Sequence, residues 1–245
     1  MQYCNVKNTS SRFSSDSFST MQLSDNKATE RTFLWKLPAS GDWEHYIKYS
    51  ILAGGFFLIC YYGSWWIAQQ HHYRIFIPRH GGQLLPFQPA WTLVYASIML
   101  AHTLAPFAVA TRAECTAWAL SLCCCVGMAT MIFICFPTDQ PSVEHLKQFS
   151  GPWMNLYWST SNISTSANAF PSLHVGSMLC TVWYSTQNKP RWFKAVMYVW
   201  FLLVVYATFV LQLHYIVDGI GGAVIAVVAI RWSQKKRLIM AKKRP

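Results

Sequence analysis

Residues Cys115–Thr138 read CTAWALSLCCCVGMATMIFICFPT, a run without a single Lys, Arg, Asp or Glu. A helix needs roughly 20 apolar residues to cross the hydrocarbon core of a bilayer, so this run is long enough to do so. A second charge-free window, Tyr49–Ala68, has the same property. Apolar stretches at Pro89–Ala110, Pro171–Thr186, Ala195–Gln212 and His214–Ile230 bring the expected crossings to six. Over all 245 residues 53% are hydrophobic and 12% charged, against about 25% charged in a soluble domain. The pattern predicts an all-α integral membrane bundle of six transmembrane helices.

Residues 1–44 have a different composition. They are rich in Ser, Thr and Asn, as in NTSSRFSSDSFST at Asn8–Thr20, and lack the apolar core of a signal peptide. A disordered, Ser-rich cytoplasmic tail is expected there, with the bundle over 45–232 and a basic cytoplasmic tail over 233–245. The formal charge is +11, and its placement is informative. Lys27, Arg31, Lys36 and Lys48 precede the first span, Arg112 follows the second, and Lys189, Arg191 and Lys194 follow the fourth; the chain closes on RWSQKKRLIMAKKRP. With six crossings all of these lie on one side, and the other side keeps Arg74, Arg79 and Lys147. The positive-inside rule makes the basic side cytoplasmic, with both termini inside. The loops near 70–88 and 138–170 then face outward, into periplasm, extracellular space or an organelle lumen. Topology and anionic headgroups explain the charge, so nucleic acid is not an expected partner.

The eight cysteines form no C-x-x-C pair. Cys123, Cys124 and Cys125 are consecutive in an expected helix, so they point about 100° apart and cannot share a metal cage. They read as small apolar filler. The loop from Arg74 to Gln88 carries two prolines and a Gly pair and is expected to be irregular. The longer loop after Phe136 lacks a sustained apolar period, but Trp153, Tyr157 and Trp158 suit a membrane interface. Asn162, in NIS, is a glycosylation acceptor if the cell glycosylates.

Depth separates the histidines. His71, His72, His80 and His145 fall in outward loops and read as solvated side chains. His102 lies mid-span, where a hydrogen bond to a neighbouring helix is the commoner outcome. His174, in AFPSLHVG at Ala169–Gly176, opens the fourth span, and His214, in HYIVDGIGG, opens the sixth. Both begin a span at the outer level, so topology brings them to one depth. Asp218 lies four residues after His214, on the same helical face, and is the only acidic residue within the six expected spans. An Asp218 carboxylate on Nδ1 leaves the other nitrogen of His214 as nucleophile or base, with His174 as acid. The N-terminal end of a helix opened by Pro171, with Ser172 nearby, suits a phosphate.

FPSLH and HYIVDGIGG together resemble the second and third signature motifs of the type 2 phosphatidic acid phosphatase superfamily, six-helix membrane enzymes with an outward active site. The resemblance implies His214 as the nucleophile that forms a phosphohistidine, Asp218 as its orienter, His174 as general acid and Ser172 as a phosphate contact. It implies a lipid phosphate substrate drawn from the membrane, and neither metal nor other cofactor. The function expected is cleavage of a lipid phosphomonoester.

Two departures accompany the resemblance. The family's first motif, a lysine with Arg-Pro seven residues on, is replaced by FPTDQP, and Lys147 has no Arg-Pro after it. Where the third motif usually carries an arginine, six residues before the histidine, Thr208 stands. Phosphoryl transfer depends on charge stabilisation, so Arg74, Arg79 or Lys147 is expected to substitute. The pattern is also similar to the branch with inositol phosphorylceramide and sphingomyelin synthases, which pass a phospho-headgroup to a lipid alcohol. A haem protein would need two level histidines on facing helices, and His102 has no level partner. A transporter would show repeat symmetry, and a non-catalytic scaffold is the remaining alternative.

Overall fold

The computed structural model describes residues 41–75, 85–109, 111–138, 144–161 and 167–242. Most of the Ser-rich stretch, Arg79, His80 and Asn162 lie outside them. Seven α-helices form the described chain: α1 Trp43–Gln69, α2 Thr92–Ala108, α3 Arg112–Cys135, α4 Pro152–Ser161, α5 Leu173–Ser185, α6 Arg191–Val210 and α7 Ile216–Lys242. Short 3-10 turns at Pro89–Trp91 and Glu144–Gln148 complete it. The all-α class expected from the sequence is what the chain adopts.

Five of these helices, α1, α2 with its leading turn, α3, α6 and α7, are long and apolar enough to cross a membrane. The sixth expected crossing, Pro171–Thr186, falls on α5, which runs between the same two ends of the bundle but is shorter than the other five. Its helix has 13 residues, about 20 Å at ~1.5 Å per residue, short of the ~30 Å hydrocarbon core. The helix is apolar because it is buried in protein. It packs against α2, α3, α6 and α7, and nearly all its side chains from Leu173 to Ser185 are enclosed. Apolar character alone does not distinguish a lipid-facing helix from a core helix, and here length separates them.

Two clusters flank α5. On one side Trp118, Leu122, Cys125 and Phe133 of α3 meet Leu173 and Tyr184 of α5 and Ile225 and Ala229 of α7, with Tyr46 and Tyr61 of α1 behind them. On the other, Ile98 and Ala101 of α2 meet Met178 and Val182 of α5 and Phe193 and Val204 of α6. Close approach of α5 to α7 depends on glycine. A Cβ on Gly222 would lie 2.2 Å from the Ser172 carbonyl oxygen, and one on Gly176 would lie 3.1 Å from the Gly222 oxygen.

One end of the bundle is held by polar contacts. Thr111 caps α3 by accepting the Glu114 N–H at 3.2 Å, the T-x-x-E pattern of a capping box. Arg112 pairs with Asp42, and the Glu114 carboxylate accepts from Asn188 at 3.1 Å. This end gathers the start of α1, the α2–α3 and α5–α6 connections and the later turns of α7. The basic segment expected as a tail from residue 233 is continuous with α7 as far as Lys242.

At the opposite end two bridges tie the described parts of the loop after α3 to the chain that follows α1. Ile75 bridges Thr138, and Thr138 bridges Asn168. Helix α4, which the sequence did not announce, lays Met154 and Tyr157 onto Tyr95, Leu146, Ala207, Leu211 and Leu213, leaving Trp153 exposed. Seven cysteines lie among the described residues, all of them free.

Candidate active site

The site forms where α5 and α7 begin. Ser172 is the N-cap of α5, its hydroxyl oxygen accepting the Val175 N–H at 3.4 Å. Pro171, expected inside the first turn, precedes that cap and follows a cis Phe170–Pro171 bond. The Ser172 N–H donates to the Asp218 carbonyl at 2.9 Å, which ties the start of α5 to the first turn of α7. The loop ahead of it is anchored too. The Phe170 N–H donates to the Thr138 hydroxyl at 2.9 Å, and the Asn168 amide donates to the Tyr61 carbonyl at 3.0 Å.

This anchoring brings the two histidines together. His174 Nδ1 lies 3.2 Å from His214 Nε2, across 40 residues of sequence. Asp218 is behind them, fully buried, with Oδ2 3.4 Å from His214 Nδ1. That is ion-pair distance, off the line of a hydrogen bond; Oδ2 instead accepts the Tyr215 N–H at 2.8 Å. His214 Nδ1 and Asp218 Oδ1 are both buried without a hydrogen-bond partner. Unsatisfied polar atoms of this kind are costly to keep in a fold, and here two occur on one imidazole–carboxylate pair.

His174 is half-buried, and its Nε2 lies 2.6 Å from the Tyr95 hydroxyl. The sequence reading did not single out Tyr95. Its signal was available, since a hydroxyl in the first turns of an expected span lies at the same depth as His174. Asn168, in the NAFPSLH stretch, was missed likewise. His102 hydrogen-bonds within its own helix, to the Ile98 carbonyl at 2.8 Å, rather than to a neighbour.

The expected phosphate-binding cations are dispersed. Arg74 donates to the Ala68 carbonyl at 2.8 Å and to Gln69 Oε1 at 3.3 Å, closing the C-terminus of α1 as basic side chains often do. Lys147 is exposed on the 3-10 turn. Thr208, where the family pattern carries arginine, is buried and turns its hydroxyl onto the Val205 carbonyl at 2.7 Å. His145, expected to be solvated, reaches Gln212 Oε1 at 2.9 Å. Tyr157 donates to the Leu211 carbonyl at 3.3 Å, and burial pushes its hydroxyl up to about 12. These two contacts fasten the turn at Glu144–Gln148 and α4 over the connection that leads to His214. Among the described residues no group of three His, Cys, Asp or Glu is placed to hold a metal.

The model of the PAP2 superfamily matches residues 82–232, which include both histidines and Asp218. The chain belongs to the PAP2 superfamily. It is also similar to the inositol phosphorylceramide synthase catalytic subunit aur1 of Schizosaccharomyces pombe, 33% identical over 78 residues. That stretch covers 32% of this chain and 18% of the relative, so the chain spans less than a fifth of the length of that protein. No solved structure matches. The family expected from FPSLH and HYIVDGIGG, and the branch beside it, are therefore the ones that the comparisons find. This PAP2 member is an integral membrane protein of a lipid phosphatase and phosphotransferase family.

Proposed function

We propose that the protein is a membrane enzyme that cleaves a lipid phosphoester by transferring the phosphoryl or phospho-headgroup to His214. The observation that carries this reading is the contact of His174 Nδ1 with His214 Nε2 at 3.2 Å, backed by the buried Asp218. Asp218 holds the proton on His214 Nδ1, which leaves the Nε2 lone pair to attack phosphorus. His174 protonates the leaving oxygen and then takes the proton of the incoming hydroxyl. The first-turn amides of α5, together with the Ser172 hydroxyl, receive the phosphate oxygens. Arg79, Arg74 and Lys147 are the candidates for the remaining positive charge, Arg79 first, since Arg74 is committed to α1. By the distribution of basic residues the site faces outward and both termini face the cytoplasm.

With water as acceptor this chemistry is that of a lipid phosphatase acting on a phosphomonoester. A second reading, transfer of a phospho-headgroup to a lipid alcohol, has its own support. The similar curated protein is an inositol phosphorylceramide synthase subunit, and Thr208 replaces a family arginine.

The test uses purified protein in mixed micelles holding labelled phosphatidic acid, a phosphodiester lipid and a neutral lipid alcohol, with His214→Ala as blank. Free phosphate that disappears in the blank supports the hydrolase; new phospholipid without free phosphate supports the transferase. Turnover that persists in His214→Ala overturns the mechanism.

A further inference from the structure

We propose that Tyr95 is a positioning residue for this phosphoryl transfer: its hydroxyl donates to His174 Nε2 and so holds the imidazole proton on Nδ1, the nitrogen that faces His214. The inference rests on the reading of His214 as nucleophile for its chemical consequence, but its structural content stands apart from it.

The direction of the hydrogen bond follows from the chain of groups. Asp218, as a carboxylate, offers only lone pairs and negative charge, which favours the proton on the ring nitrogen 3.4 Å from it although the contact is off the line of a hydrogen bond. That proton is on His214 Nδ1, which makes His214 Nε2 an acceptor. The atom 3.2 Å from it, His174 Nδ1, is therefore the donor. A neutral imidazole that donates from Nδ1 accepts at Nε2, and the group 2.6 Å from Nε2 is the Tyr95 hydroxyl. The opposite order would aim the bare Nδ1 of His214 at a carboxylate, lone pair against lone pair. One buried carboxylate thus sets the sense of every hydrogen bond out to Tyr95.

Position supports the assignment. Tyr95 is 4% exposed, its ring packs against that of His174 with centroids 4.7 Å apart, and Leu146, Met154, Tyr157, Leu211 and Leu213 enclose it. A phenylalanine would satisfy that apolar packing. A buried hydroxyl is tolerated where it has a partner, and His174 Nε2, at 2.6 Å, is one.

In the first half-reaction the His214 Nε2–P bond forms and the bond from phosphorus to the leaving oxygen breaks. The Nδ1 proton of His174 passes to that oxygen. A neutral imidazole gives up one proton without becoming an anion only if its other nitrogen gains one, and the Tyr95 hydroxyl proton shifts to Nε2. In the second half-reaction the acceptor hydroxyl loses its proton to Nδ1, and the proton on Nε2 returns to Tyr95.

The experiment compares wild type with Tyr95→Phe in lipid nanodiscs, by the rate of the first half-reaction and by ¹⁵N NMR of the histidine rings. The substrates are a lipid phosphate, whose alkoxide must be protonated as it leaves, and a p-nitrophenyl phosphate ester, whose leaving group needs no proton. Tyr95→Phe is expected to lower the rate of the first half-reaction on the lipid about 10- to 100-fold and to leave the burst of p-nitrophenolate from the other ester nearly unchanged. His174 in the wild type is expected to show a protonated Nδ1 and a hydrogen-bonded acceptor Nε2, with the Nε2 signal moving in Tyr95→Phe. Equal losses on both esters, no loss on either, or a His174 protonated at Nε2 in the wild type would overturn the proposal. If the wild type turns over neither ester, the function proposed above fails, and the His174 nitrogen signals still decide the role of Tyr95.

Discussion

Among the described residues two acidic ones are buried, Glu114 at one end of the bundle and Asp218 at the other, and they are treated differently. Glu114 starts α3 under the Thr111 cap, accepts from Asn188 and lies 3.5 Å from Arg237. None of its side-chain atoms is left buried without a partner. Burial lowers the Lys189 ammonium below its ordinary range there, and the Glu114 carboxylate pulls it back. Asp218 has one oxygen with no partner, faces an imidazole nitrogen that also has none, and is fully enclosed. A satisfied buried carboxylate closes a structure, and an unsatisfied one beside two imidazoles is what the proposed phosphoryl transfer calls for. The same residue class thus does different work because of what surrounds it.

Substitution at the two ends should separate these roles. The largest effect is expected at His214→Ala, with phosphoester turnover in micelles falling on the order of 10⁴-fold or more while the thermal unfolding curve stays near that of the wild type. His174→Ala should cost about 10²- to 10⁴-fold on a lipid phosphate and much less on a p-nitrophenyl ester; equal losses would remove its role as acid. Gly222→Ala drives a Cβ against the Ser172 carbonyl, so it should destabilise the fold by about 1–3 kcal/mol and lower kcat as well, because Ser172 positions His174. Glu114→Gln should show the converse, a loss of about 1–3 kcal/mol of stability with kcat retained. A fall in kcat for Glu114→Gln without a fall in unfolding temperature would break the contrast between the two ends. The smallest effect is expected at Arg79→Ala, raising KM for the lipid phosphate; identical rates at limiting and saturating lipid would exclude Arg79 as the phosphate-binding cation.

Much of the fold was legible in the sequence because lipid imposes a strong pattern. Charge-free windows such as Tyr49–Ala68 and Cys115–Thr138 correspond to α1 and α3, with ends displaced by a few residues. Helix α5 was recognised as an apolar run and expected as a crossing; its enclosure by α2, α3, α6 and α7 was not legible, since a core helix and a lipid-facing helix share composition. Helix α4 escaped notice because its periodicity is short and interrupted by Asn, Ser and Thr. His174, His214 and Asp218 were singled out by depth and by the four-residue spacing, and the fold brings these three side chains together. The charge of Arg74 was visible in the sequence, while the carbonyls that it engages at the end of α1 were not.

The sequence by itself determined the solvent, the helical class and which polar side chains begin or interrupt the apolar runs. These are properties of composition and of local spacing, which the backbone period translates directly into faces and depths. Only the tertiary structure decided that His174 Nδ1 meets His214 Nε2, that Tyr95 lies on the far nitrogen, and that Ser172 is joined to the first turn of α7. Those contacts join helices from distant parts of the chain. They exist because Gly176 and Gly222 let α5 and α7 approach closely, a matter of side-chain volume across an interface that no single segment encodes.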